Sequence, residues 1–401
     1  MSRRPKPTPQ VARPKRHQPV SWLGGLSPDQ FMRRYWQKKP LLVRGAFPDF
    51  IPPVSIEDVL KLACDDRAES RLVQRSPKGQ RWMLSHGPFE ADEIPSLTKS
   101  HWTILVQQVN TRLSAADAFL DAFRFVPQAR LDDLMISVAG PNGGIGAHVD
   151  SYDVFLIQAS GERRWEIAET FDPTLQEDVP LKILQEFTPE EDWVLAPGDL
   201  LYLPPNVAHR GTAIGNGCMT WSVGFRAPAR IALADAVWAG HLDTLADRNW
   251  KDPWLEATNA PAEVPQRLLN ELTDQVLKDF PNRKTISQGV ARVLSEPAQA
   301  AVFEPPRRPD TLEKFEKNAC RLGLRLACSS RVLYQGSSFF ANGEPLGLPK
   351  DASVQRLMKT LANERVVSGD ALRCCKGLTV LMPTVYEMYL AGWISYDYGV
   401  F

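Results

Sequence analysis

At 401 residues, 43% hydrophobic and 23% charged, the chain has the composition of an ordinary globular protein with material for two or three domains. Lys and Arg balance Asp and Glu at 47 each, so no global field draws the chain to nucleic acid or acidic ligands. No apolar run approaches the ~20 residues that cross a bilayer, and the six cysteines form no C-x-x-C pair, which reads as a reduced, cytoplasmic protein without membrane contact.

Residues 1–20 carry six Lys/Arg, five prolines and no acid. Such a segment cannot offset ordering entropy by burial, so a disordered basic leader is expected. It lacks the apolar stretch of a secretory signal. A nucleic-acid-seeking arm and a solvated leader without a role both remain open for it. Order is expected near Trp22, with Ser27 as N-cap and Pro28 at the first position of a helix. Lys39 to Gly45 reads as a short strand, and residues 55–64 and 114–124 as helices by apolar spacing of three and four.

From residue 131 to 228 the period becomes two. Strands are predicted at Leu134–Val138, Asp153–Gln158, Arg164–Ile167, Trp193–Leu195, Asp199–Leu203 and Cys218–Phe225, with turns at residues 140–144, at Ser160-Gly161 and at Pro197-Gly198-Asp199. Many short strands at this spacing mean a barrel or a sandwich. Residues 229–247 and 264–280 read as helices, residues 304–309 as a linker, and Asn342-Gly343 as a hairpin turn in a small α+β unit.

Within the strand region, His148-Val149-Asp150 follows a glycine-rich turn. Residues i and i+2 of a strand share a face, so one imidazole and one carboxylate can point into a barrel together. His209, 61 residues beyond His148, supplies a third ligand from another strand. Two histidines and one carboxylate on one side of a metal form the facial triad of non-haem Fe(II) oxygenases. His241-Leu242-Asp243 repeats the pattern, but in a helical segment, where i and i+2 diverge. Arg163 lies beyond the triad strand and could pair with the far carboxylate of a dicarboxylic co-substrate. Its neighbour Arg164 must then face the other way.

These segments, with Pro197-Gly198-Asp199-Leu200-Leu201-Tyr202-Leu203-Pro204-Pro205 and Trp221-Ser222-Val223-Gly224-Phe225-Arg226-Ala227-Pro228, resemble the Jumonji-C ribosomal oxygenases, in particular the bacterial branch that hydroxylates an arginine of large-subunit ribosomal protein sixteen. The resemblance spans about residues 20–401. It implies a mixed α+β chain in which a double-stranded β-helix (cupin, JmjC) barrel occupies residues 21–228. A helical dimerisation segment at 229–304 and a winged-helix domain at 305–401 follow, and a homodimer is expected. It implies Fe(II) on His148, Asp150 and His209, 2-oxoglutarate on Arg163 where many relatives use lysine, and dioxygen as oxidant. Ser137 and Ser222 would help hold the co-substrate, and Tyr152 and Asp153 would meet the substrate. Two rivals remain: a cupin-like metalloenzyme without 2-oxoglutarate, and a non-catalytic ribosome-assembly factor.

Overall fold

The computed structural model describes residues 13–76, 81–298 and 301–397. Residues 1–12 of the basic leader lie outside them. The rest of the leader is tied down: Arg16 and His17 pair with Asp29, and Arg13 donates to the Asn363 carbonyl at 2.5 Å. Order therefore begins well before Trp22, because two of these basic residues find an acid their own composition does not reveal.

Ten strands form one antiparallel sheet. They are β1 (Leu41–Val43), β2 (Ser70–Arg75), β3 (Trp82–His86), β4 (Trp102–Val106), β5 (Leu131–Ala139), β6 (His148–Val149), β7 (Asp153–Ala168), β8 (Glu191–Leu195), β9 (Leu200–Leu203) and β10 (Ala208–Phe225). The order is β1-β9-β7-β10-β5-β4-β2-β3, with β6 added to β10 and β8 to β7. Among the described residues four α-helices precede β5: α1 (Pro28–Arg34), α2 (Ile56–Ala63), α3 (Val109–Arg112) and α4 (Ser114–Phe119). Helix α1 starts at a capping box, Ser27 and Gln30 each satisfying the other's backbone N–H.

Ser160-Gly161 is predicted as a turn between two strands, and here the structure differs. The chain runs straight through as β7, and Gly161 (φ +59°) lies where the β7–β10 register shifts, opposite a Gly215–Gly217 bend in β10. Glycine in a strand marks a bulge as readily as a reversal.

Alternation divides β7 between two apolar clusters. Val154, Leu156, Trp165 and Ile167 face inward with Leu201, Leu203 and Val207. Phe155 and Ile157 face outward into a larger core that takes Trp22, Phe31, Phe123 and Trp221. Aromatic contacts join distant segments there: Trp22 to Phe123 at 5.1 Å, Phe31 to Tyr202 at 4.9 Å and Trp36 to Phe225 at 5.1 Å.

Beyond the sheet come α5 (Arg230–Leu242), α6 (Gln266–Asp279), α7 (Arg283–Ser295), α8 (Leu312–Leu322), β11 (Leu324–Leu326), a meander β12 (Val332–Gln335), β13 (Ser338–Ala341) and β14 (Glu344–Leu346), then α9 (Ala352–Glu364), β15 (Val366–Val367), α10 (Gly369–Arg373), α11 (Leu378–Leu390) and β16 (Ile394–Tyr396). Asn342-Gly343 makes the β13–β14 turn, both residues at positive φ. The chain divides into two compact units. Of the described residues, one unit holds the large sheet with those of 297–331 and 348–397; the other holds Pro228–Glu296 and Val332–Gly347. In the first, α8, α9 and α11 accompany the small sheet β15-β11-β16. No helix is long and apolar enough to cross a membrane among the described residues.

Candidate metal centre

Strand β6 lies against the start of β10, with His148 opposite His209. Their rings stand 4.2 Å apart between centroids. Asp150 Oδ2 lies 3.9 Å from His148 Nε2 and 3.6 Å from His209 Nε2. Among the described residues these three alone form a cluster of possible metal ligands, their ligand atoms within 4.8 Å of one another. The preceding turn needs Gly146: at φ +85° a Cβ there would lie 2.9 Å from Ile183.

Both histidines are set in one tautomer. His148 Nδ1 lies 3.1 Å from the Gly146 carbonyl, and His209 Nδ1 3.0 Å from that of Val207. A carbonyl only accepts, so each Nδ1 carries the proton and each Nε2 keeps a lone pair for a metal. Burial, with the neighbouring His148 adding to it, brings His209 down to about 4 while Asp150 opposes. Its imidazole is therefore neutral, the ligand form, at neutral pH. Two imidazole nitrogens and a carboxylate are the donor set that suits Fe(II) with open positions.

Arg163, Trp165 and Ile167 on β7 oppose Ala213, Gly211 and His209 on β10, which places all of them on the metal-ligand face. The Trp165 ring lies 5.9 Å from the His209 ring, and the Arg163 guanidinium 5.8 Å from the Trp165 ring. Gly211 is required, since a Cβ there would lie 2.8 Å from the indole. Arg163 is only 4% exposed, yet its Nε and one terminal nitrogen meet no acceptor among the described residues, and neither does Trp165 Nε1. Orphaned donors on a buried cation are costly unless a ligand supplies the acceptor. A carboxylate matches them in charge and in fork geometry. Arg164 turns outward, as alternation requires, and pairs with Asp192.

Ser222 opposes Met135, and Ser137 opposes Thr220, which also opposes Gln158. Both serines are buried on the inward face. Tyr152 is 39% exposed; burial first, then the charges of Asp150 and Asp133, raise its phenol above its ordinary value. Asp153 requires a correction. It is fully buried on the outward face, where its carboxylate accepts from the Tyr202 hydroxyl at 2.6 Å and from the Gln37 amide at 3.0 Å. Asp153 begins β7 on the same side as Phe155, away from the metal-ligand face, so it does not line the cavity. His241 is no ligand: its Nε2 meets the Asp279 carbonyl at 2.7 Å.

One residue escaped the sequence reading. Asp133 shares the inward parity of Met135 and Ser137, and burial, reinforced by Asp132, pushes its carboxyl up to about 7. That parity was available in the sequence; without a partner strand to anchor it, Asp132 and Asp133 look like one exposed pair.

Comparison with known proteins agrees with this geometry. The JmjC domain model matches residues 118–233. The chain is 34% identical over 373 residues to the ribosomal protein uL16 3-hydroxylase of Escherichia coli, covering 90% of this chain and 96% of that protein. It is 32% identical to a probable ribosomal oxygenase of Haemophilus influenzae over 56% of this chain and 55% of that one. Among solved structures, Escherichia coli YcfD superposes with a TM-score of 0.80 at 30% identity over 92% of this chain and 98% of that one. The same ribosomal oxygenase in complex with cobalt and 2-oxoglutarate gives 0.77 over the same shares.

Proposed function

The chain belongs to the JmjC-domain ribosomal oxygenases, and we propose on that premise that it is an Fe(II)- and 2-oxoglutarate-dependent hydroxylase of an arginine β-carbon in ribosomal protein uL16. The observation that carries this reading is the placement of a His-Asp-His set and a buried, under-satisfied Arg163 on one inward face. Ala213, opposite Arg163, is four residues from His209 along β10, about 13 Å at the rise of a strand. An arginine reaching back and a five-carbon diacid can bridge that span.

His148, Asp150 and His209 would hold the iron. With 2-oxoglutarate and dioxygen, the metal supplies the oxidising power that an unactivated C–H bond requires. The protein's own part is placement. The backbone carbonyls of Gly146 and Val207 fix the imidazoles, Arg163 orients the co-substrate by its far carboxylate, and Ser137 and Ser222 line the same face as further hydroxyl donors. Val154, Leu156, Ile167 and Leu203 keep that interior apolar. Tyr152 and Asp133 form the substrate side. An arginine side chain entering past Tyr152 carries a permanent positive charge, and Asp133 is the partly buried acid placed to answer it. A cupin-like enzyme without 2-oxoglutarate leaves the buried Arg163 unexplained.

The test is incubation of the purified protein with Fe(II), 2-oxoglutarate and the host's own uL16. A gain of one oxygen on an arginine, about 16 Da, that vanishes without 2-oxoglutarate is expected. Turnover of 2-oxoglutarate with unmodified uL16 would keep the oxygenase and discard the substrate.

We assign residues 21–228 to the catalytic domain, 229–304 to a helical dimerisation segment and 305–401 to a winged-helix-like domain. The helices α8, α9 and α11 with the small sheet β15-β11-β16, and the β12–β14 meander inserted between β11 and α9, support the last. A homodimer through the helical segment is supported by α6, which buries none of its own residues and exposes Leu269, Leu272, Val276 and Leu277. Such a stripe is an interaction surface in search of a partner. Leu272→Glu with Val276→Glu should halve the mass measured by light scattering; an unchanged mass would place the dimer contact elsewhere. A cytoplasmic location follows from a ribosomal substrate.

A further inference from the structure

The two oxygens of Asp133 have different surroundings. Oδ2 accepts the backbone N–H of Gln108 at 2.8 Å. It also faces the side-chain amide of Gln107, whose two ends lie 3.3 Å from Oδ2 and 2.9 Å from an Arg71 terminal nitrogen; a carboxylate only accepts and a guanidinium only donates, so the amide is assigned with its nitrogen toward Oδ2 and its oxygen toward Arg71. Oδ1 points the other way. A Cβ placed on Gly224 would sit 3.5 Å from Oδ1 and 4.0 Å from the Tyr152 ring. The missing side chain at Gly224 therefore leaves a slot between the free carboxylate oxygen and the phenol.

The segment behind Asp133 is held in place. Gln108 adopts φ +53°, a region seldom used by residues other than glycine, and this turns its N–H toward Asp133. Two residues on, Asn110 Oδ1 accepts the Leu134 N–H at 2.8 Å. The 107–110 segment is thus latched to β5 on both sides of the carboxylate.

We propose that Gln107 is a positioning residue for the substrate: its amide couples Asp133 Oδ2 to Arg71 and so presents Oδ1 to a cationic side chain in the slot between Gly224 and Tyr152. This deepens, and rests on, the reading that the substrate offers an arginine. The neutral spacer matters. Arg71 placed directly on Asp133 would form a bidentate ion pair and compete with an incoming guanidinium. An amide passes on orientation while leaving the carboxylate's charge for the ligand. Asp133, raised toward neutrality by burial, then regains its charged form when the cation arrives.

The experiment measures kcat and KM for a uL16 peptide carrying arginine and for the same peptide carrying citrulline, a neutral near-isostere, at saturating 2-oxoglutarate. The wild type, Asp133→Asn, Gln107→Leu and Gln107→Glu are compared. The wild type should favour arginine strongly, and Asp133→Asn should erase that preference. Gln107→Leu should cut the arginine-to-citrulline ratio about tenfold through peptide KM, leaving KM for 2-oxoglutarate and the melting temperature unchanged. Gln107→Glu keeps the Arg71 contact and sets a second acid against Asp133; it should lose the preference to the same degree, which serves if the leucine variant folds poorly. Full preference in both Gln107 variants, with loss in Asp133→Asn, overturns the role of Gln107 alone. Full preference in Asp133→Asn removes the reading of the slot itself. An equal fall with both peptides, or a shifted 2-oxoglutarate KM, marks a structural role and likewise overturns the proposal.

Discussion

An Asp150→Ala variant is expected to fold, to lose retained Fe(II) by at least about 100-fold and to yield no hydroxylated uL16. Its carboxylate is the acidic member of a set whose other members, His148 and His209, are imidazoles bonded back to their own chain through Nδ1. Removing it takes away the ligand charge and one of three donors at once. The fold should persist, because the imidazoles hold their orientation through the Gly146 and Val207 carbonyls and the surrounding strands do not depend on Asp150. Metal content after dialysis, peptide mass and a thermal melt separate these effects. Retained iron with retained hydroxylation would dismiss the triad; retained cellular effect without hydroxylation would favour the assembly-factor reading.

The second large effect concerns Arg163. Methionine there keeps the length and apolar stem but removes the fork. The KM for 2-oxoglutarate should rise by about 100-fold, equivalent to about 3 kcal/mol. Metal content should stay at the wild-type level, since Arg163 contributes no ligand atom to the triad. Arg163→Lys should recover part of the loss, because a point charge still answers a carboxylate without bidentate geometry. A variant that binds 2-oxoglutarate normally would assign the far carboxylate to another group. The measurement is a co-substrate titration at fixed peptide, read as succinate formed.

Much of the site was legible because its chemistry follows strand parity. His148 and Asp150 are two residues apart and share a face; Arg163 and Arg164 are adjacent and do not. Asp153 was expected beside Tyr152 at the substrate, and the structure instead buries it under Tyr202 and Gln37. Asp133 and Gln107 stayed hidden for a different reason. Their significance lies in contacts between residues 71, 107 and 133, which two separate strands and the latched turn after β4 bring together, and no local period encodes such a meeting. The Ser160-Gly161 position misled because a glycine at positive φ serves a bulge and a turn equally well. The basic leader misled because composition cannot show that Asp29 awaits Arg16 and His17.

The outward core has a practical consequence. Trp22, Phe31 and Trp36 pack against Phe123, Phe155, Tyr202 and Phe225, and Gln37 and Arg130 both reach Asp153. The JmjC match begins only at residue 118. A fragment cut to the match would keep every metal ligand and Arg163, yet it would take Trp22, Phe31 and Trp36 from the back of β7, β9 and β10 and leave Asp153 with one less partner. The stretch that identifies this protein is shorter than the stretch that must be translated before its iron site can hold its shape.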